Sequence, residues 1–232
     1  MKARCCLASR PSPTPESPAS GRERLLTPAD FRLPATTIAP ALLGATIIAG
    51  AMRARIVETE AYQGVEDLAC HASRGLTPRT STLFGPCGVL YVYLCYGVHA
   101  MLNLVCDAQG VPAAVLIRAV AIESAIPLAR RRRHARPGSR PEDLANGPGR
   151  LTQALGIGLS HHGLRLSQAG CPIAIARGPA PAAISCGARV GVAYAREWAL
   201  KPWRFWETGY RLARPDAAAG AWVGNADSSA DG

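Results

Sequence analysis

Two carboxylates and a tyrosine alternate along one short β-prone run, Arg55-Ile56-Val57-Glu58-Thr59-Glu60-Ala61-Tyr62. Successive side chains of a strand point to opposite faces, so Glu58, Glu60 and Tyr62 share one face. A second β-prone run, Leu90-Tyr91-Val92-Tyr93-Leu94-Cys95-Tyr96-Gly97, brings three more tyrosines. Four of the six tyrosines thus fall in two segments. Carboxylates beside flat aromatic faces point to acid–base chemistry on a stacked planar ligand. The formal net charge is +10, so a nucleobase carried by a polyanion is the planar ligand expected.

Each of these residues has a second reading. An acid inside an apolar strand is costly unless it is paired or used. Glu60 is therefore either the partner of a buried arginine or a general base with water in reach. Repulsion from Glu58 on the same face would raise one of the two carboxyl pKa values, and the pattern does not choose between them. Tyr91, Tyr93 and Tyr96 are ordinary strand formers. Yet Tyr96 precedes Gly97 where a hairpin turn is expected, and an aromatic ring at a hairpin tip can wedge between base pairs. His71 lies in a polar, arginine-containing segment and serves either as a structural hydrogen-bonder or in binding.

The elements that must hold these residues come from one domain. The chain has 232 residues, 48% hydrophobic and 18% charged, which fits a packed body with a proper core. Lys and Arg outnumber Asp and Glu by 26 to 16. Eight cysteines form no C-x-x-C pair and meet no histidine at zinc-finger spacing, so they read as reduced thiols in a cytosolic protein, and no metal site is expected. The apolar stretch from Ile38 to Met52 is broken by Pro40, Gly44 and Gly50, too interrupted for a membrane span. No apolar signal region precedes it. The expected location is the cytoplasm, on the nucleoid in a bacterium.

Residues 1–24 read as a flexible arm and 213–232 as a flexible tail, leaving 25–212 as the folded domain. Thr27 and Pro28 suit a helix start, and a second helix spans Ile38–Leu43, ended by Gly44. Strands follow at 46–48 and 54–61. The polar segment from Gln63 to Gly88 is long for a loop and implies a functional loop or a short helix. Residues 89–106 read as a hairpin whose return strand carries Asn103. A strand over 113–119 ends near Arg118, and helix-like residues 121–133 lead into an arginine run, Arg130 to Arg140. That run is either a solvated face or a grip on phosphates. Gly147-Pro148-Gly149 opens a helix, Val190-Gly191-Val192 reads as a strand, and Lys201 to Trp206 is basic and aromatic.

Taken in order, these segments resemble the alkyladenine (3-methyladenine) DNA glycosylase family. The resemblance is carried by Leu42-Leu43-Gly44, Arg55 to Tyr62, His71 with Arg74-Gly75 and Thr77-Pro78-Arg79, and Leu90 to Tyr93 with Tyr96-Gly97. It continues through Asn103, Leu116-Ile117-Arg118-Ala119, Gly147-Pro148, Arg189 to Val192, Glu197-Trp198-Ala199 and Lys201-Pro202. It covers roughly residues 25 to 208. It implies an α+β fold: a single domain with a curved, largely antiparallel β-sheet, flanking helices and a protruding DNA-inserting hairpin.

The resemblance also implies hydrolysis of the bond between a damaged purine and deoxyribose, after the nucleotide is flipped from the duplex. Glu60 resembles the general base that activates water, and Arg118 the residue that holds that water and the nearby phosphate. The main chain of Val190 resembles another water contact. Tyr62, Ala69, His71 and Tyr93 match the pocket for the flipped base, Asn103 the residue that disfavours the amino group of guanine, and Tyr96 the wedge. Double-stranded DNA with a damaged purine is the implied partner, a monomer the implied state, and no cofactor is implied. Cys70 stands where the family has a small residue. The arm and the arginine run are not family hallmarks.

Two other functions compete with this one. A non-catalytic nucleic-acid-binding module would keep Tyr96 and the arginines without needing Glu60. A transferase acting on nucleic acid would ask for a cofactor site, and neither a G-x-G-x-x-G nor a Walker loop is present. The only lysines are Lys2 and Lys201, neither in the matched pocket segments, so water rather than an amine is the expected nucleophile.

Overall fold

The computed structural model describes residues 23–213 and 220–222. The expected arm, apart from residues 23 and 24, lies outside them, as does most of the expected tail. Nine strands form one sheet in which every pairing is antiparallel. The strands are β1 (Thr46–Ala49), β2 (Met52–Gln63), β3 (Leu90–Cys95), β4 (His99–Val105), β5 (Ala113–Ile122), β6 (Ile173–Ala176), β7 (Ile184–Gly187), β8 (Arg204–Glu207) and β9 (Gly220–Ala221). The helices are α1 (Ala35–Ala41), α2 (Ile126–Arg132) and α3 (Pro148–Leu155). The order β3-β4-β5-β2-β8-β7-β9 makes the main path, with β1 joining β2 to β6. Strand β2 is the hinge of the plan. It pairs with β5 along one edge, and with β1 and then β8 along the other.

Alternation sorts the sheet into two faces. Leu90 and Val92, Leu102 and Leu104, and Val115 and Ile117 enter the main core, where α1 and α3 pack. Their neighbours Tyr91, Tyr93, Met101, Asn103, Ala114, Leu116 and Arg118 face a cavity. Strand β2 cannot obey simple alternation along its whole length. Met52, Ala54, Ile56 and Ala61 all belong to the core, yet 56 and 61 have opposite parity. A paired irregularity resolves this. Ile56 faces Val120, Glu58 faces Ala119 and Thr59 faces Ile117, so Val57 and Arg118 are each left without a register partner. Such bulges re-aim side chains. Here the bulge turns the apolar start of β2 to the helices and frees the opposite face for Glu58, Glu60 and Tyr62.

Several local expectations shift for tertiary reasons. Helix α1 begins at Ala35, earlier than expected, because the Ala35 amide is capped by Gln63 Oε1 at 2.6 Å, from the far end of β2. Pairing of Ala54 with Ile122 keeps residues 121 and 122 in β5, so α2 starts only at Ile126, with Pro127 in its first turn. The expected strand at Val190–Val192 is a turn with Gly191 at φ +79°. The polar segment holds two 3-10 turns, His71–Arg74 and Ser81–Phe84. Gly220–Ala221 pairs with β7, and Trp222 packs edge-on against Phe205. No helix among the described residues is long and apolar enough to cross a membrane. Cys70, Cys87, Cys95, Cys106, Cys171 and Cys186 are free thiols.

Gly44 is one position where backbone freedom is demanded twice. Its φ is +86°, and a Cβ there would stand 2.0 Å from the Pro179 carbonyl oxygen. Gly44→Ala should therefore cost about 3 kcal/mol of unfolding free energy in urea titration. Gly50→Ala, where a Cβ meets nothing within 4 Å, should cost only about 1 kcal/mol.

Candidate active site

The site begins with a charge problem. Glu58 is buried and Glu60 is 0% exposed, and ionised carboxylates in such places need partners. Two arginines supply them, and a third pairs with the neighbouring buried Asp67. Arg118, from the bulge on β5, donates through Nε to Glu58 Oε1 at 2.9 Å and reaches Glu60 Oε2 with Nη1 at 3.2 Å. Arg204, from β8, donates through Nε to the same Glu58 oxygen at 2.6 Å. Arg189 forms a bidentate pair with Asp67 at 2.6 and 2.7 Å. The pairing and functional readings of Glu60 therefore do not compete, because the ion pair is what lets an anion stand at that depth. Burial opposes the charge on Arg118, but Glu60 and Glu58 outweigh it and hold its pKa above the ordinary arginine value. Burial likewise opposes Arg189, and Asp67 raises it.

Glu60 keeps some acceptor capacity. A carboxylate offers about four lone-pair directions. The Val190 amide donates to Oε1 at 2.7 Å, the Tyr62 hydroxyl donates to Oε2 at 2.8 Å, and Arg118 approaches Oε2. One direction on Oε1 stays available beside Arg118 and Val190, both of which line the cavity. Glu58 takes two arginines, Arg118 and Arg204, both on Oε1.

Above this floor lies a cavity of about 640 Å³, within the range of about 300–1,000 Å³ found for small-ligand sites. Tyr62, Ala69, His71, Tyr93, Tyr96, Asn103, Arg118 and Val190 all line it, so every candidate site residue except Glu60 contributes to its wall. Five of the chain's six tyrosines do so, because Tyr91 and Tyr194 join the three expected. The His71 and Tyr93 rings meet at 4.5 Å between centroids, inclined by 64°. His71 Nδ1 lies 2.9 Å from the Tyr91 hydroxyl. Burial first, then the charges of Arg79 and Arg74, push the His71 pKa down to about 4, so its ring is neutral at pH 7. Burial and then the Glu60 charge hold the Tyr62 phenol well above its ordinary value. Burial chiefly does the same for Tyr93. Asn103 donates its amide to the carbonyls of Tyr91 at 3.0 Å and Met101 at 3.4 Å.

Several supporting residues escaped the sequence reading. The Arg189 guanidinium stacks on Tyr62 at 4.8 Å and on Trp203 at 5.1 Å, and also donates to the Ala61 and Trp198 carbonyls. One buried cation thus fixes both the Tyr62 ring and the turn that carries the Val190 amide. Tyr194 stands at the cavity rim, 68% exposed. No residue of the Arg130–Arg140 run lines the cavity. Arg132 donates to the Ala154 carbonyl at 3.2 Å and Arg133 bonds Gln153, tying α2 to the C-terminal end of α3, whereas the cavity touches Pro148 at the other end of that helix. Tyr96 occupies the tip between β3 and β4, 92% exposed and with φ +51°. No cluster of three or more His, Cys, Asp or Glu among the described residues could hold a metal ion.

The His71 shift has a pH consequence. Its folded pKa of about 4 lies below the ordinary 6.5, so the unfolded chain takes up this proton first as pH falls. Stability from this group is complete above pH 6.5 and declines as pH drops toward 4. His71→Gln should flatten the pH dependence of unfolding free energy in that window, measured by urea titration at stepped pH. An unchanged slope would show that other groups govern it.

Comparison with known proteins places the chain among relatives. The family described as methylpurine-DNA glycosylase (MPG) matches residues 29–211. A protein of Myxococcus xanthus (strain DK1622) is 47% identical over 183 residues, 76% of this chain and 86% of its own length. One of Rubrobacter xylanophilus is 46% identical over 179 residues, 75% and 89% of the two chains. One of Nitrobacter winogradskyi is 42% identical over 208 residues, 89% and 94%. Each of the three is named "putative 3-methyladenine DNA glycosylase".

Proposed function

The chain belongs to the methylpurine-DNA glycosylase family, and on that premise we propose that its cavity takes a damaged purine flipped out of duplex DNA, with Glu60 as the base that activates water. As a DNA glycosylase of DNA repair it is a hydrolase of N-glycosidic bonds. The observation that carries the site assignment is the state of Glu60. It is a fully buried carboxylate, charge-balanced by Arg118, with an acceptor direction left beside the Val190 amide.

The chemistry follows from that placement. A base within the stack cannot reach the floor of a cavity walled by five tyrosines, so the nucleotide must leave the duplex first. Tyr62, His71 and Tyr93 then offer aromatic faces to the purine. A neutral His71 adds no charge against an alkylated, cationic ring, and tyrosine faces attract such a ring. Water bonded to the free direction of Glu60 gives up a proton as its oxygen bonds C1′. The bond from C1′ to N9 breaks, and its electron pair leaves with the base. The Glu60 anion also favours the positive charge that develops on the sugar. Arg118 holds Glu60 in place and faces the adjoining phosphate. Asn103 presents its side chain to the edge of the base and disfavours the amino group of normal guanine. The main chain at Ala69 borders that edge. Tyr96 enters the duplex through the minor groove and fills the gap left by the nucleotide. The protein acts as a monomer, wherever cellular DNA is held.

Glu60→Gln should lower the single-turnover rate of base release by about a hundredfold or more while leaving affinity for lesion DNA nearly unchanged. Near-normal excision by this variant would remove Glu60 from the base role. Tyr96→Ser should cut excision from duplex by about tenfold and from single strands by much less, with the melting temperature of the protein unaltered. Equal losses on both substrates would make Tyr96 a packing residue instead.

A further inference from the structure

The reaction leaves one charge unattended at the purine end of the cavity. When the bond to N9 breaks, the departing ring gains an electron pair. An alkylated purine starts as a cation and leaves neutral. A neutral lesion leaves as an anion, which solvent protonates afterwards. Glu60 is of no use at this end, because it sits at the floor, bonded to Arg118, Tyr62 and Val190. His71 is neutral, with burial and Arg79 both opposing its protonation. The phenols of Tyr91 and Tyr93 stay protonated and uncharged, chiefly through burial.

Arg79 is the exception. It lines the cavity beside His71, Tyr91 and Tyr93. Its Cζ stands 5.7 Å from the Tyr93 ring centroid. Arg118, Arg189 and Arg204 each hold a buried acid, whereas Arg79 makes no ion pair among the described residues. The base end of the cavity therefore carries an uncompensated positive charge. That arrangement is unfavourable for a pocket that takes only cationic bases.

We propose that Arg79 is a specificity-determining residue whose guanidinium stabilises the electron pair taken by the departing purine, so that neutral damaged purines can be excised as well as cationic ones. This rests on the reading of the cavity as the damaged-base site. The charge on the ring changes by the same amount for either lesion, so Arg79 assists the chemical step for both. The initial states differ. A cationic ring is repelled on entry, and a neutral ring is not. For a cationic lesion the penalty on entry cancels the gain in the step, and for a neutral lesion the gain is kept. Exclusion of water by the bound nucleotide strengthens the effect.

The test uses the full-length protein with Arg79→Gln and Arg79→Lys, on duplexes carrying hypoxanthine (neutral) or N7-methylguanine (cationic). Single-turnover rates over a range of enzyme concentration give kmax and K1/2. For Arg79→Gln, kmax should fall about tenfold on both lesions. The ratio kmax/K1/2 should fall as much on hypoxanthine, yet stay within about threefold of the original on N7-methylguanine because K1/2 also falls. Arg79→Lys should restore most of the loss. Equal falls of kmax/K1/2 on both lesions would mean that Arg79 grips a phosphate, and would overturn the proposal. An unchanged kmax, or an unaltered protein inactive on hypoxanthine, would overturn it too. An unaltered protein inactive on both lesions would instead sink the reading of the cavity itself. Arg79 is exposed, so thermal melts of the variants should match the original.

Discussion

Three carboxylates and three guanidinium groups are buried together around strand β2, and the site depends on their cancelling. Glu58, Glu60 and Asp67 face Arg118, Arg204 and Arg189. Removing several unit charges from water costs several kcal/mol each, and only close, well-bonded pairs offset it. The pairing is therefore a geometric constraint on four separate stretches of chain: β2, β5, the segment after β2, and the run from the Val190 turn into β8. Each contributes one charge or more, and none can drift without stranding another. That constraint holds Glu60 beneath the cavity with its counter-ion already in place.

The irregular pairing of β2 with β5 is the device that makes this compatible with a core. A regular strand would put Met52, Ala54 and Ile56 on the same face as Glu58 and Glu60. The extra residues Val57 and Arg118 shift the phase on both strands. Apolar side chains then reach α1 and the main core, and the acids take the cavity side of the sheet. Arg118 is itself one of the extra residues, so the distortion that turns the acids outward also aims their counter-ion at them.

The aromatic wall is built at the open edge of the sheet. β3 ends the strand order, and its hairpin with β4 projects Tyr96 into solvent at a left-handed backbone position. An exposed ring on a strained residue is poor for stability, and it suits the wedge role proposed for Tyr96. Deeper in, polar groups are tied off. His71 meets Tyr91, and the Asn103 amide meets two carbonyls. These rings and edges are pre-set rather than free to collapse into the cavity, which is what recognition of a flat ligand asks of them.

Much of this was legible in the chain itself. Alternation put Glu58, Glu60 and Tyr62 on one face, and that relation is local, so it survives folding. Tyr96-Gly97 marked the hairpin tip because few residue pairs suit such a turn. The ordered motifs from Leu42 to Pro202 named the family, and Tyr62, His71, Tyr93, Tyr96, Asn103 and Arg118 from them do line one cavity. Other features depend on partners far along the chain. Whether Glu60 was a salt-bridge residue or a functional acid had no local answer, since Arg118 and the Val190 amide lie 58 and 130 residues away. Val190–Val192 looked like a strand because its residues favour one, yet its amide is claimed by Glu60 instead of by a ladder. Asp67 and Arg189 gave no sign of belonging together, and α1 began early because Gln63 caps it from another element. Periodicity and turn chemistry are written in neighbouring residues. Bulge phase, charge pairing and cavity shape come from contacts between distant ones, and only the folded sheet decides them.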